Sequence, residues 1–477
     1  MLPSDQHGHA RLTRRRLLSV GSNSALGLGL PQLLGAEANG RPSETDAPAD
    51  AGRRPRAKSC ILFFMEGGPS HIDLWDMKPD APENVRGPFR PIQTTLSGLH
   101  VCEHLPQWSR VMHHMTVIRS VSHTIVDHNA SSHYMLTGQY PLRDSQLIRG
   151  PSRENAPPFG SVLAKMRPSG QPLPDYVHLP KEMFNCGNFI PGVLAGFLGD
   201  AFDPLIAGDP SVPNYEVPGL ELRLPGSQFE SRQRLLNEID HGLGRANDRR
   251  ALERKDVFYE KAFSLITSPQ ARRAFNLHDE PESVRQRYGF GVRAADVRGN
   301  GLRHLGQCLL LARRLVEAGV RLVSVWAGGQ AFDGHRDHFN SLVNGLCPPT
   351  DQAVSALIED LADRGLLDET LVVALGEFGR TPKVGQITSS AGATPDGRDH
   401  WPNCYTVFLA GGGVKAGYVH GASDRFGAYP SANPVRPEDI AATIYTALGI
   451  DLSGQIHDRL NRPHTICSGE PIQDVFA

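Results

Sequence analysis

Thr370-Leu371-Val372-Val373-Ala374-Leu375-Gly376-Glu377-Phe378-Gly379-Arg380-Thr381-Pro382 is the stretch that decides the fold class. Its first half is apolar without alternation and rich in branched side chains. That pattern predicts a strand buried on both faces, as in the centre of a parallel sheet. Glu377 and Arg380 follow just past the strand's carboxyl end, where open α/β sheets bind ligands. A polar loop then closes on Gly397-Arg398-Asp399-His400-Trp401-Pro402. Carboxylate and imidazole together form the donor set of a divalent metal site.

The same grammar, an apolar strand running into a polar cluster, recurs on either side. Ser59–Met65 predicts a strand that ends in Glu66-Gly67-Gly68-Pro69-Ser70-His71-Ile72-Asp73. Its two glycines allow close backbone approach to a ligand. Glu66 is the first polar group after the strand; it reads as a metal ligand or as a solvated turn carboxylate. Ser70, His71 and Asp73 are further polar candidates. Val320–Trp326 predicts another strand, followed by Asp333-Gly334-His335-Arg336-Asp337-His338. Asp333 and His335 are the expected ligands there, with His338 as an additional candidate. Met115–Val121 and Tyr405–Ala410 read as further strands. Helices are expected over Asn129–Leu136, with His128 just before it and Gly138 stopping it, over His304–Ala318, over Gln352–Gly365, and from Pro437 to about Leu448.

Length and composition narrow the class. The chain has 477 residues and a formal charge of −2. No basic stripe interleaved with aromatics is present, which argues against nucleic acid as a partner. Seven cysteines occur without a Cys-x-x-Cys pair, so a zinc ribbon is not expected. Most read as buried, reduced core residues. Thr13-Arg14-Arg15-Arg16-Leu17-Leu18 reads as a twin-arginine export signal, with Ala36-Glu37-Ala38 as its cleavage site. The expected division is therefore a signal peptide over 1–38, a Pro- and Ala-rich linker over 39–58, and one domain over 59–475. No stable transmembrane anchor is expected. Residues 142–298 lose the βα rhythm and read as a cap-like insertion over the sheet edge, or as a solvated helical decoration.

In a parallel sheet all these strand ends meet at one edge. The expected site places one divalent ion on Asp333, His335 and His400, and another on Glu377, Glu66 and His128. One or two ions fit this set; zinc or manganese is favoured by the mixed ligands, with calcium or magnesium as alternatives. Paired ions can clamp the attacking and leaving oxygens of a displacement at phosphorus or sulfur. Arg380 would neutralise a non-bridging oxygen, or pair with a neighbouring carboxylate. Asp399, next to His400, is a further candidate.

These motifs resemble the alkaline-phosphatase-like superfamily, which includes the sulfatases. Leu136-Thr137-Gly138-Gln139-Tyr140-Pro141 is similar to the segment that follows the sulfatase nucleophile, and Pro437 to Ile450 to a late sulfatase helix. Gly67 to His71, Asp333-Gly334-His335, Gly376 to Pro382 and Gly397 to Pro402 resemble domain-of-unknown-function family 1501, whose bacterial members carry a twin-arginine signal. The resemblance covers roughly residues 56 to 475. It implies an alkaline-phosphatase-like three-layer α/β sandwich with a mostly parallel central sheet and a helical or irregular insertion. It also implies a periplasmic or secreted metal-dependent hydrolase of sulfate or phosphate esters, acting on a small-molecule or glycan ester and exported by the twin-arginine machinery.

Departures from the pattern shape the expected chemistry. His128 stands where the sulfatase nucleophile would be, and Ser132 where the sulfatase arginine would be. Glu377 and Phe378 replace the metal-binding Asp and the His that follows it. The formylglycine mechanism is therefore not available. Ser131, Thr124 or Ser70 could serve as nucleophile, but a metal-activated water needs none of them and is the preferred expectation. His128 and Arg380 are the expected catalytic residues. The alternative is a non-catalytic, metal-binding relative that holds an anionic glycan or an envelope partner.

Overall fold

Among the described residues of the computed structural model, eight strands form the central sheet: β1 (Ser59–Phe64), β2 (Met115–Val121), β3 (Tyr176–Leu179), β4 (Leu205–Ile206), β5 (Leu322–Trp326), β6 (Thr370–Leu375), β7 (Tyr405–Ala410) and β8 (Tyr418–His420). The structure describes residues 55–185, 187–217, 265, 267–290 and 302–477. The expected export signal, the linker before residue 55, and residues 186, 218–264, 266 and 291–298 of the expected insertion lie outside these. The spatial order is β4-β3-β5-β1-β6-β7-β2-β8. β4, β3, β5, β1 and β6 pair in parallel, as do β2 and β8, while β7 runs antiparallel to both β6 and β2.

Alternation along the central strands builds two cores at once. Ile61, Phe63 and Met65 face one core, while Cys60, Leu62 and Phe64 face the other. β6 does the same, with Val372 and Ala374 on one side and Leu371, Val373 and Leu375 on the other. Burial on both faces is why these strands read as unbroken apolar runs. The first core is closed by α3 (Leu305–Glu317) and α4 (Cys347–Asp363). The second is closed by α1 (His128–Thr137), α2 (Phe159–Met166) and α5 (Pro437–Ala447). This is an α/β sandwich with helices on both faces of a mostly parallel sheet. Truncating a residue such as Phe63, which is 1% exposed, costs about 3–5 kcal/mol.

Three features differ from the sequence expectation. α4 begins at Cys347 rather than Gln352, because Pro348 and Pro349 fall in its first turn, where a missing N–H costs nothing. Residues 159–206, inside the expected insertion, supply α2 and two strands of the sheet. β3 and β4 are only four and two residues long, too short to show periodicity. β7 opposes its neighbours because β6 reaches it through a loop with no crossover helix, and such a connection requires antiparallel pairing. The six described cysteines are free and buried. Among the described residues no helix is long and apolar enough to cross a membrane.

Candidate metal centre

The antiparallel course of β7 puts its entry loop at the edge where the parallel strands end. β6 runs out through Glu377 into a two-residue strand, Gly379–Arg380. This pairs with His400–Trp401, Arg380 opposite His400, just before β7 begins. β1 delivers Glu66, and the loop after β5 delivers Asp333 and His335. α1 contributes His128 from its first turn, where Asp127 caps the helix by accepting from the Ala130 N–H at 3.0 Å.

The turn after β1 fits against both other loops because Gly67 and Gly68 have φ of +106° and +74°. A Cβ on Gly67 would lie 2.5 Å from the Asp333 backbone nitrogen, and one on Gly68 would lie 2.6 Å from the Phe378 ring. The glycines therefore let three strand ends converge.

Two groups of donor atoms result, each with its atoms within 4.8 Å of one another: His128, Asp333, His335 and His400, and Glu66, His128 and Glu377. Asp333 Oδ1 is the focus of the first. The Nε2 atoms of His335, His128 and His400 lie 3.0, 3.5 and 3.5 Å from it. The other ring nitrogen of each histidine faces an oxygen acceptor. His400 Nδ1 is 2.8 Å from the Val126 carbonyl, His335 Nδ1 contacts the Gly392 carbonyl, and His128 Nδ1 is 2.6 Å from Glu377 Oε1. Each Nδ1 therefore carries a proton, and the three Nε2 atoms are the ones turned towards one carboxylate oxygen. His335 Nε2 and His400 Nε2 are only 2.9 Å apart. Lone pairs so placed repel unless a proton or a metal ion lies among them. Imidazoles that donate their far N–H to an oxygen are the usual arrangement around a bound metal. These residues fit a divalent ion.

Electrostatics describe the protein when no ion is bound. Burial works against a charged His128, but its hydrogen bonds to Asp333 and Glu377 overcome this and raise its pKa to about 10. Burial works against a charged Asp333 as well, yet Arg380 and the three histidines hold it well below the usual carboxylate range. Burial lowers His400 to about 4, with Arg380 and His128 adding to the effect. Burial and the neighbouring Glu377 push Glu66 up to about 8. The protonated His128 ring thus spans two carboxylates, Nδ1 towards Glu377 and Nε2 towards Asp333, whose charge an ion would otherwise neutralise.

Glu66 is fully buried, so it is not a solvated turn carboxylate. Its Oε2 accepts from the Gln330 N–H at 2.5 Å, and its Oε1 from the Asn185 amide. Glu377 Oε1 accepts from the Gly67 N–H at 2.8 Å, while its Oε2 is buried without a partner. Arg380 is wholly buried. It donates to Asp333 Oδ1 at 2.6 Å and to the carbonyls of Gly67, Gly68 and Arg398. Its guanidinium orients Asp333 and ties three loops together, which is the ion-pair alternative rather than contact with a substrate oxygen.

The additional candidates fall into a layer beneath. Asp73 accepts from Arg398 Nε and Nη2 at 2.7 and 2.8 Å, from Ser70 at 2.6 Å and from His338 at 2.8 Å. His71 contacts the Gly427 carbonyl at 2.8 Å. Asp399 accepts from Thr388, Ser389 and the His400 N–H, and its Oδ1 lies 3.4 Å from His335 Nδ1. Ser131, one expected nucleophile, donates instead to the Ile125 carbonyl at 3.0 Å.

His123 and Asn185 had no functional signal in the sequence. His123 Nε2 donates to the Glu377 carbonyl at 2.7 Å, while its Nδ1 accepts from the Ile125 N–H. It also lines a cavity of about 250 Å³ with Thr124, Tyr134, Tyr140 and Glu438. Asn185 reaches Glu66 from a short hairpin, Phe184–Asn185 paired with Asn188–Phe189. Phe378 packs its ring 5.0 Å from that of His128 and 4.6 Å from that of His400. His128 thus supplies an imidazole beside the wall that Phe378 forms. A lone His or Asn in an irregular segment gives no pattern by which to find it.

The fold and site define an α/β sandwich with a buried cluster of histidine and carboxylate donors at the edge where its parallel strands end. The chain belongs to the family described as Protein of unknown function (DUF1501), whose model matches residues 57–476. No functionally curated protein matches the chain. Among solved structures it is similar to the lipoteichoic acid synthase LtaP from Listeria monocytogenes, at 11% identity over 84% of this chain and 74% of that one, with a TM-score of 0.35. It is also similar to the PsFucS1 sulfatase from Pseudoalteromonas sp., at 12% identity, 84% and 68% coverage and a TM-score of 0.35. The phosphonate monoester hydrolase SpPMH from Silicibacter pomeroyi gives 13%, 87% and 76%, and 0.35.

Proposed function

We propose that the protein is an exported, metal-dependent hydrolase of sulfate or phosphate esters, acting on a small molecule or a glycan ester. The observation that carries the metal is the set of three Nε2 atoms around Asp333 Oδ1, each with its Nδ1 tied to an oxygen. His128, His335, His400 and Asp333 would hold the principal ion in this reading. The three imidazoles lean towards zinc or manganese. A divalent ion held there would supply Lewis-acid activation of an ester oxygen and of water.

The chain's own residues do the rest by positioning. Glu377, the Gly392 carbonyl and the Val126 carbonyl fix which ring nitrogen each histidine presents. Arg380 aims Asp333, and Phe378 keeps water off one side of two imidazoles. The cavity beside His123 gives room for the body of a substrate. Export rests on the twin-arginine motif at Thr13–Leu18, which makes the periplasm or the cell exterior the site of action and the twin-arginine machinery a transient partner.

A panel of aryl sulfate and phosphate esters tests the reading. Cleavage should appear with metal-loaded protein, stop in chelator, and fall sharply in His400→Ala and Glu377→Gln. Folded variants with full activity would refute the site. One observation favours a second reading: the four ligands are only 5–8% exposed, which suits a closed site that binds metal without turnover. Metal retention with no cleavage of any ester in the panel would favour that reading.

A further inference from the structure

The segment Leu136-Thr137-Gly138-Gln139-Tyr140-Pro141 supplies no donor to the metal centre. It parts two cavities instead. Gly138 ends α1 with φ of +68°, and a Cβ there would lie 2.2 Å from that of Ala441 in α5. This close fit carries the chain past α5 to Tyr140, whose ring is half exposed and meets Tyr134 edge-on at 5.4 Å. The end of α1 presents Tyr134 and Gly138 to the cavity of about 250 Å³ beside His123. It presents His133, Thr137 and Gln139 to a second cavity of about 350 Å³. Tyr140 stands in the wall of both.

The two cavities differ in chemistry. The smaller has the hydroxyls of Ser122, Thr124 and Ser468 in its wall, and among the described residues no hydrogen bond engages them. Glu438 accepts from the Tyr134 hydroxyl and lies 3.2 Å from Arg436. Hydroxyls donate and accept alike, so this wall suits a polyhydroxylated group such as a sugar. The larger cavity is walled by Leu142, Ile148, Pro157, Val162, Phe197 and Ile466. Most of its polar side chains are already paired. Arg143 lies 3.0 Å from Glu154, Gln139 donates to the Ile466 carbonyl at 3.1 Å, and His464 lies 3.3 Å from Asp458. His133 is buried and neutral, since burial lowers its pKa to about 4 against a smaller opposing effect of the Gln139 backbone. Leu142 is half exposed at the rim. Such a wall favours an apolar group, which gains by leaving water.

We propose that the two cavities are consecutive compartments of one substrate groove, the first taking a hydroxylated unit of the ester and the second an apolar alkyl or aryl group attached to it. Tyr140, with an apolar ring and a polar tip, suits the junction. His123 joins the first compartment to the metal centre, because its Nε2 donates to the Glu377 carbonyl at 2.7 Å. The inference rests on the proposed hydrolase reading and adds to it a substrate class: an amphiphilic glycoside rather than a uniformly polar glycan.

The test is calorimetry on the full chain with methyl β-glucoside and with octyl β-glucoside kept below its micelle concentration, each with and without one equivalent of zinc. Octyl glucoside should bind about tenfold or more tighter, since burying about two methylenes already supplies that factor. Leu142→Glu puts a charge in the apolar wall, and Thr465→Trp fills the same cavity from an exposed position. Each should remove most of the preference and leave methyl glucoside binding unchanged. Thr124→Val should weaken both glucosides. Equal affinity for the two, no binding of octyl glucoside, or a preference that survives both cavity substitutions overturns the inference. Failure of the hydrolase reading is distinguishable: the binding pattern would then appear in a protein that cleaves no ester. Cleavage without the pattern would remove the groove and leave the metal centre standing.

Discussion

Arg398→Met should cost the protein about 3–5 kcal/mol, because it leaves a buried carboxylate without its counter-charge. Arg398 is fully buried and all five of its N–H groups are engaged. Two go to Asp73 at 2.7 and 2.8 Å; the others go to the carbonyls of Thr381, Pro382 and Val85 at 2.9, 2.7 and 2.7 Å. After substitution Asp73 keeps only Ser70 and His338. Arg398→Lys retains the charge but has three donors for five acceptors, so an intermediate loss is expected. Asp73→Leu combined with Arg398→Met removes both charges and should recover at least half of the single-variant loss.

The sign with pH follows from Asp73. Burial pushes its carboxyl up, but Arg398 and His338 outweigh this and hold it below the usual range. Its stabilising contribution is therefore present above the ordinary unfolded value of about 3.9 and fades as pH falls towards the depressed native one. Arg398→Met should move that loss to higher pH. Urea unfolding of metal-free protein across a pH series measures both effects. Arg398 is two residues from His400, so the variant should also weaken zinc binding without removing a ligand. An Arg398→Met protein within about 1 kcal/mol of wild type would refute the assignment of this layer as the scaffold of the site.

Other outcomes follow from the same geometry. His400→Ala removes a ligand and should weaken zinc by more than the roughly 10–100-fold typical of an outer partner, read by competition with a chromophoric chelator. Glu377→Gln keeps an acceptor for His128 but removes a charge, so the His128 pKa in metal-free protein should fall from its raised value of about 10, as followed by NMR titration. At pH 7 to 8 metal-free His128 is protonated and must lose that proton to bind an ion. Zinc uptake should therefore release a proton from it, with affinity rising about tenfold per pH unit in that window; calorimetry in buffers of different ionisation enthalpy reads this directly.

How far the sequence reached depends on how local each signal is. β1, β6 and β7 are almost wholly apolar runs and β2 an apolar stretch broken by Thr116, Arg119 and Ser120; the limits of all four are legible within a residue. Asp333, His335 and His400 stand beside strand ends, so topology alone brings them to one edge. Asn185 and His123 are different: their roles come from contacts across 119 and 254 positions with Glu66 and Glu377. No spacing rule encodes such contacts. Asp73, Ser70 and His338 lay in the right loops but turn inward to Arg398. A polar residue after a strand can face the ligand or hold the loop, and sequence does not separate the two. β3 and β4 were hidden among prolines and glycines by their brevity.

X-ray absorption on zinc-loaded protein tests the central claim most directly. Three imidazoles in an otherwise light-atom shell are expected for the native chain, and two for His400→Ala. A sulfur shell, or a native spectrum with no more than one imidazole, would contradict the centre built around Asp333.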